Sequence, residues 1–222
     1  LLIHIANLVG LDLFVVPVFV TVCHRMIPFF AGNVVEEYAR WRPFWVLSVF
    51  WGASITAILG FALSLGALAF AGKAACACLT GLMLWKWWPR GPAPGLLWVL
   101  LIGFAWAPVA FAVAAWAALF DPGFGRGTIH LLTLGFAASL LIAMVTRVTQ
   151  GHSGRLLTMP AIAWLAFAAV QAATILRFLA AVRHEQLSLL TLSAFILTAG
   201  LLPWVVRAIW IYLRPRLDGK AG

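Results

Sequence analysis

Apolar runs of about 20 residues recur along the whole chain, separated by short clusters of charge, proline and glycine. A bilayer core about 30 Å thick is crossed by roughly 20 helical residues at about 1.5 Å each. Seven runs meet that length, at about 1–24, 44–63, 67–88, 95–119, 128–149, 160–182 and 188–212. They stay apolar on every face, without the alternation over about ten residues that marks a membrane-spanning strand. The pattern therefore predicts an all-α fold, a polytopic bundle of transmembrane helices forming one domain over residues 1–222.

The connections between runs are short. The longest, 25–43, holds Asn33, Glu36, Glu37, Arg40 and Pro43 and predicts a short interfacial helix. Residues 89–95, rich in proline and glycine, form a helix-breaking turn. Trp85, Trp87 and Trp88 precede it at the level where an aromatic belt meets lipid headgroups. Gly52, Thr56, Gly60 and Ser64 recur every fourth residue, a narrow stripe of small side chains that lets a neighbouring helix approach closely.

Composition sharpens this picture. With 64% apolar and 9% charged residues and a mean hydropathy of +1.05, the chain lies outside the range of soluble domains. A net charge of +9 would point to nucleic acid in a soluble protein, but here the cations sort by membrane side. Arg25, Arg40, Arg42, Lys86, Arg90, Arg147, Arg155, Arg214, Arg216 and Lys220 fall toward one face, and only Lys73, Arg126 and Arg183 toward the other. By the positive-inside rule the first face is cytoplasmic, which puts Leu1 outside and the carboxyl terminus inside. The expected partner is the lipid bilayer, with no nucleic acid. Cys23, Cys76 and Cys78 offer no disulfide framework.

Chemistry must come from the few polar groups inside the spans, because each buried ionisable side chain costs several kcal/mol unless paired or hydrated. These are His4, Asn7, Asp12, His130, Thr133, Thr146, Gln171, Arg177 and Arg207. Asp12 calls for a partner such as Arg177 or His4, or for a water-filled cavity. His4 and His130 lie about 31 and 26 Å before the basic residues that end their spans, at the outer face, while His24 and His152 lie at the inner face. One site on each side is possible where spans 1 and 5 are neighbours. A helix starting near Gly127 and Thr128 places His130 in its first turn, where the positive end disfavours imidazolium and leaves a ring nitrogen free for a metal. His152 follows Gly151, an expected helix cap, where the negative end favours the protonated form. Imidazole suits haem iron and copper. The plainer alternative for each histidine, including His184, is an interfacial residue bonded to backbone or lipid headgroup.

Nucleophile-elbow, phosphate-loop, zincin, covalent-haem and dinucleotide motifs are absent from the sequence. One resemblance is usable. His130-Leu-Leu-Thr-Leu-Gly135, followed by Met144-Val-Thr-Arg147-Val-Thr-Gln-Gly151-His152-Ser-Gly-Arg155, resembles the signature helix of the NnrS family. Arg25-Met-Ile-Pro-Phe-Phe-Ala-Gly-Asn33 is similar to that family's Arg-x-Ile-Pro-x-Phe-Thr-x-Asn segment, and Leu213-Arg-Pro-Arg-Leu-Asp-Gly-Lys220 to its terminal Arg-Pro-Arg-x-Asp-Gly-Lys. The resemblance implies a bacterial inner-membrane protein of about twelve spans containing haem and copper, linked to nitric oxide metabolism and tolerance of nitrosative stress. This chain would be its carboxyl-terminal portion, partnered by the amino-terminal helices, with nitric oxide as ligand. His4, His130, Arg147, His152 and Arg155 then become the cofactor-binding residues, with His4 and His130 on the metal. No catalysed reaction is assigned by the resemblance. An alternative of another class is a transporter or sensor-type module without metal, in which Asp12, Arg177 and Arg207 line a pathway.

Overall fold

The computed structural model describes residues 9–121, 124–183, 186–217 and 219. Its described residues contain no strand, and seven helices are long and apolar enough to cross a membrane. We number them α1 (Gly10–Val34), α2 (Phe44–Ala62), α3 (Gly66–Trp87), α4 (Gly95–Leu119), α5 (Arg126–His152), α6 (Ala161–Val182) and α7 (Leu187–Tyr212). Two stretches are wound more widely, as π-helix: Gly10–Val15 in α1 and Leu131–Ala138 in α5. Consecutive helices α2 to α7 pack in turn, α1 lies against α2, α3, α4 and α5, and α7 rests mainly on α6. The middle of the molecule is α4 and α5, the most buried spans, and α7 is the least buried.

Local sequence explains the helix boundaries. Pro43, Pro94 and Pro160 each stand in extended conformation immediately before α2, α4 and α6. Their carbonyls accept from Val46, Leu97 and Ala163 three residues on, so the first turn is satisfied by a residue that cannot itself extend the helix backwards. At the end of α5 the αL residue is Gly154, at φ 69°, and not the expected Gly151, which lies inside the helix. The Arg155 amide donates to the Gln150 carbonyl at 2.9 Å and the Gly154 amide to Gly151 at 3.4 Å, a Schellman closure.

The first span overruns its expected end by ten residues. It continues past Arg25 and through Pro28 to Val34, because Ile27, Phe30 and Ala31 keep one face buried and that burial outweighs the roughly 3 kcal/mol an interior proline costs. Arg25 stays exposed on the helix. The interfacial helix expected within 25–43 does not form; after Val34 the chain is a turn, with Glu37 at φ 50°, and then irregular up to Pro43.

Aromatic rings tie the central helices together. Trp87 meets Phe104 at 4.9 Å, Phe104 meets Phe136 at 5.8 Å and Phe136 meets Phe19 at 6.0 Å, a file from α3 through α4 and α5 to α1. Trp87 is thus core, not belt: it is fully buried and its Nε1–H donates to the Trp41 carbonyl at 2.9 Å, while Trp85 and Trp88 are exposed as a belt requires. The small-residue stripe of α2 also resolves differently. Gly60 packs against the backbone of Ala69, and Ala53 and Ala57 receive Gly72, whereas Gly52 has nothing within 4 Å and Ser64 lies beyond the helix.

Candidate functional site

Asp12 is buried, and its carboxylate pairs with Lys73 Nζ at 2.8 Å across α1 and α3. Among the described residues the partner is this lysine, sorted by sequence with the outer-face cations, and not Arg177; His4, the other expected partner, lies outside the described residues. Lys73 also lies 5.6 Å from the centre of the Phe111 ring. An apolar neighbourhood with two opposite charges at contact satisfies both charges without water. Arg177 is half-buried on α6 with its Nε unbonded among the described residues.

A second polar group sits between α4, α5 and α6. Trp106 Nε1–H donates to Gln171 Oε1 at 2.6 Å, and Gln171 Nε2–H donates to Ser139 Oγ at 2.6 Å. Gly135 makes this possible, since a Cβ there would fall 2.7 Å from Trp106 Cγ. Gln171 was visible in sequence as an intramembrane amide; its partners were not, because Trp and Ser are unremarkable inside a span. α7 is fastened to the carboxyl-terminal end of α5 by Trp204 Nε1–H to Thr146 Oγ1 at 3.0 Å and by Thr149 with Tyr212 at 3.0 Å, and the segment after α7 by the Leu217 amide to the Ser153 carbonyl at 3.1 Å.

Spans 1 and 5 are neighbours, the condition for any histidine site between them. The ring contact Phe19–Phe136 and the contact of the Arg147 guanidinium with Phe30, 3.8 Å from the ring centre, both join residues 117 apart in sequence, so the helices run parallel in one register. By that register His130 is about level with Leu13, beside Asp12, and His24 is level with Leu141. Successive imidazoles among His130, His24 and His152 are then eleven residues apart, about 16 Å of helix. These three histidines occupy three depths and do not converge. His4 and Asn7 lie outside the described residues, as does His184.

Each described histidine has its own setting. His24 is buried, and its Nε2–H donates to the Pro43 carbonyl at 3.1 Å, with Phe44 and Trp87 rings about 6 Å away. It fastens the start of α2 to α1. His130 is half-buried in the second turn of α5, since helix begins at Gly125, so the positive end acts on it less than a first-turn position would allow. His152 is exposed in the last turn of α5.

Arg147 and His152 line a shallow groove of about 260 Å³ between α1 and α5, floored by Met26, Phe30 and Met144. A second groove of about 110 Å³, bounded by Val34, Pro94 and Leu100, adjoins the first; Phe30, Arg147 and Leu157 border both. Arg155 follows the cap, half-buried, with Nη1 unbonded among the described residues. Nearby, Arg40 closes the end of α1, donating to the Gly32 carbonyl and to Asn33 Oδ1 at 3.0 Å each, its side chain crossing Gly32 where any Cβ would collide. Tyr38, on the loop beyond, donates to the Trp87 carbonyl at 2.8 Å, and burial raises its phenol to about 12.

These residues bear directly on a metal. Among the described residues no three His, Cys, Asp or Glu side chains gather as a ligand set. They offer one imidazole near the amino-terminal end of α5, His130, and a cationic cluster about 25 Å farther along that helix. A single haem cannot be ligated by the first and hold its propionates on the second, so the two are separate places.

No curated relative and no solved structure matches this chain. The family model described as NnrS protein matches residues 3–216, nearly the whole length and all seven spans. The chain belongs to the NnrS family.

Proposed function

We propose that this protein resides in the bacterial inner membrane with its cation-rich face cytoplasmic, binds haem and copper, and acts in nitric oxide metabolism and protection from nitrosative stress. Family membership over residues 3–216 is the observation that carries the reading. Physical chemistry supports it: nitric oxide is small and uncharged and dissolves in the bilayer, so a metal reached through apolar helices needs no polar entry route. His130 is assigned to the metal, with His4 as the second imidazole; neutral imidazole is a ligand for haem iron and copper. Iron or copper, when bound, would supply a centre to which nitric oxide can coordinate. The chain's own contribution is to hold His130 on a helix fixed by Gly135, Trp106 and Gln171 one to three turns away. A transporter would need Asp12, Arg177 and Arg207 along one pathway; Asp12 is committed to Lys73, and no observation favours that reading.

The full-length protein purified from membranes is expected to show a Soret band that shifts when nitric oxide is added without oxygen. His130→Ala is expected to lower bound haem or copper at least tenfold. Absence of both metals from the wild-type protein, or a spectrum indifferent to nitric oxide, would overturn the proposal.

A further inference from the structure

The two grooves that Arg147 borders are unexplained by a metal at His130. Arg147 is half-buried five residues, about 8 Å, before the end of α5. Its guanidinium carbon lies 3.8 Å from the centre of the Phe30 ring, and it meets no carboxylate among the described residues. Arg155, three residues past the helix end, keeps Nη1 buried with no hydrogen-bond partner among the described residues. The flanks are apolar and exposed: Phe29, Val34, Val148 and Leu156 are between 43% and 83% accessible, the character of a surface bathed in acyl chains and not in water. An arginine near a helix end reaches the headgroup level, where an anionic group is its natural counter-charge. The face is also the cation-rich one, where anionic lipid collects if it is cytoplasmic.

We propose that this cleft is a binding site for one anionic phospholipid. The phosphate accepts a bidentate pair of hydrogen bonds from Arg147, which packs against Phe30, and His152, which lines the larger groove, adds a second polar contact. The two largely apolar grooves that share Arg147 receive the two acyl chains. A free phosphate would leave both grooves unfilled, and a protein helix would have to bring its own carboxylate to Arg147. The site stands apart from the haem and copper reading, since lipid retention and a nitric oxide response are separate measurements.

The test uses the full-length protein, delipidated in detergent and titrated with phosphatidylglycerol, phosphatidylcholine or inorganic phosphate, with bound lipid counted by native mass spectrometry and melting temperature followed. Wild-type protein is expected to retain one phosphatidylglycerol and to melt higher with it. Arg147→Gln should weaken that binding at least tenfold and Arg147→Lys at least threefold, since lysine keeps the charge but not the fork. Arg214→Gln, on an exposed arginine over Trp210, should leave it unchanged. If Arg147→Gln does not fold by circular dichroism, Arg147→Lys decides. Equal binding of phosphatidylcholine, displacement by inorganic phosphate, wild-type affinity in the Arg147 variants, or loss of haem with lipid binding intact would each overturn the proposal.

Discussion

The Asp12–Lys73 pair shows how one contact decides the meaning of a residue. In sequence Asp12 is an acid in hydrocarbon and Lys73 an outer-face cation; at 2.8 Å each explains the other. Their side chains are only 7% and 15% accessible, so breaking the pair strands a buried charge, an effect of about 3–5 kcal/mol, whereas replacing both partners by apolar residues is close to neutral. Asp12→Asn is therefore expected to lower the melting temperature in detergent sharply, and Asp12→Asn with Lys73→Met to restore most of it. A double variant as unstable as the single one would show that Lys73 has another essential partner. Sequence spacing could have hinted at this pair, since both charges lie inside spans, but assigning Lys73 to the membrane face by charge sorting hid it.

At the scale of helices, hydropathy was legible because seven long apolar runs leave few other arrangements, and six spans begin and end within about three residues of their expected limits. The exception is α1, where Arg25 and Pro28 looked like an ending; only tertiary burial of Ile27 and Phe30 carries the helix onward. Which small residue touches which helix was not legible, because a repeat of four does not say which face finds a neighbour. Gly52 and Gly72 separate the two cases. A Cβ at Gly72 would fall 2.6 Å from the Ala53 carbonyl oxygen and 2.7 Å from Ala57 Cα, backbone atoms that cannot step aside, while Gly52 is open. Gly72→Ala is expected to destabilise by about 1–3 kcal/mol as α2 and α3 are forced apart, and Gly52→Ala to change stability by less than about 0.5 kcal/mol or raise it slightly through helix propensity. Thermal unfolding of the two variants side by side checks this. The histidines belong to the same lesson: residue type and depth were readable, but the parallel register that separates His130, His24 and His152 required Phe19 against Phe136 and Phe30 against Arg147.

For the whole molecule the decisive quantity is orientation, because it fixes which leaflet the Arg147 cleft meets and which compartment lies beyond His130. Ten of the 15 Lys and Arg residues sort to one face, and the rule relating short-loop cations to the cytoplasm is a bias of insertion, not a contact within the fold. It is therefore tested by access. Gly91 lies in the proline-rich turn with open space around it, and Ser64 in the turn between α2 and α3 on the opposite face. Cys23 and Cys76 are buried, so Cys78 alone needs replacing by alanine to give a quiet background. With Gly91→Cys, a membrane-impermeant maleimide should label inverted vesicles and spare intact spheroplasts; with Ser64→Cys the order should reverse. The opposite pattern would place the basic grooves on the outer leaflet and His130 toward the cytoplasm. The electrostatic argument for an anionic lipid at Arg147 would then lose the leaflet that supplies it, while the ion pair, the Trp106–Gln171–Ser139 chain and the helix packing, which do not depend on direction, would stand unchanged.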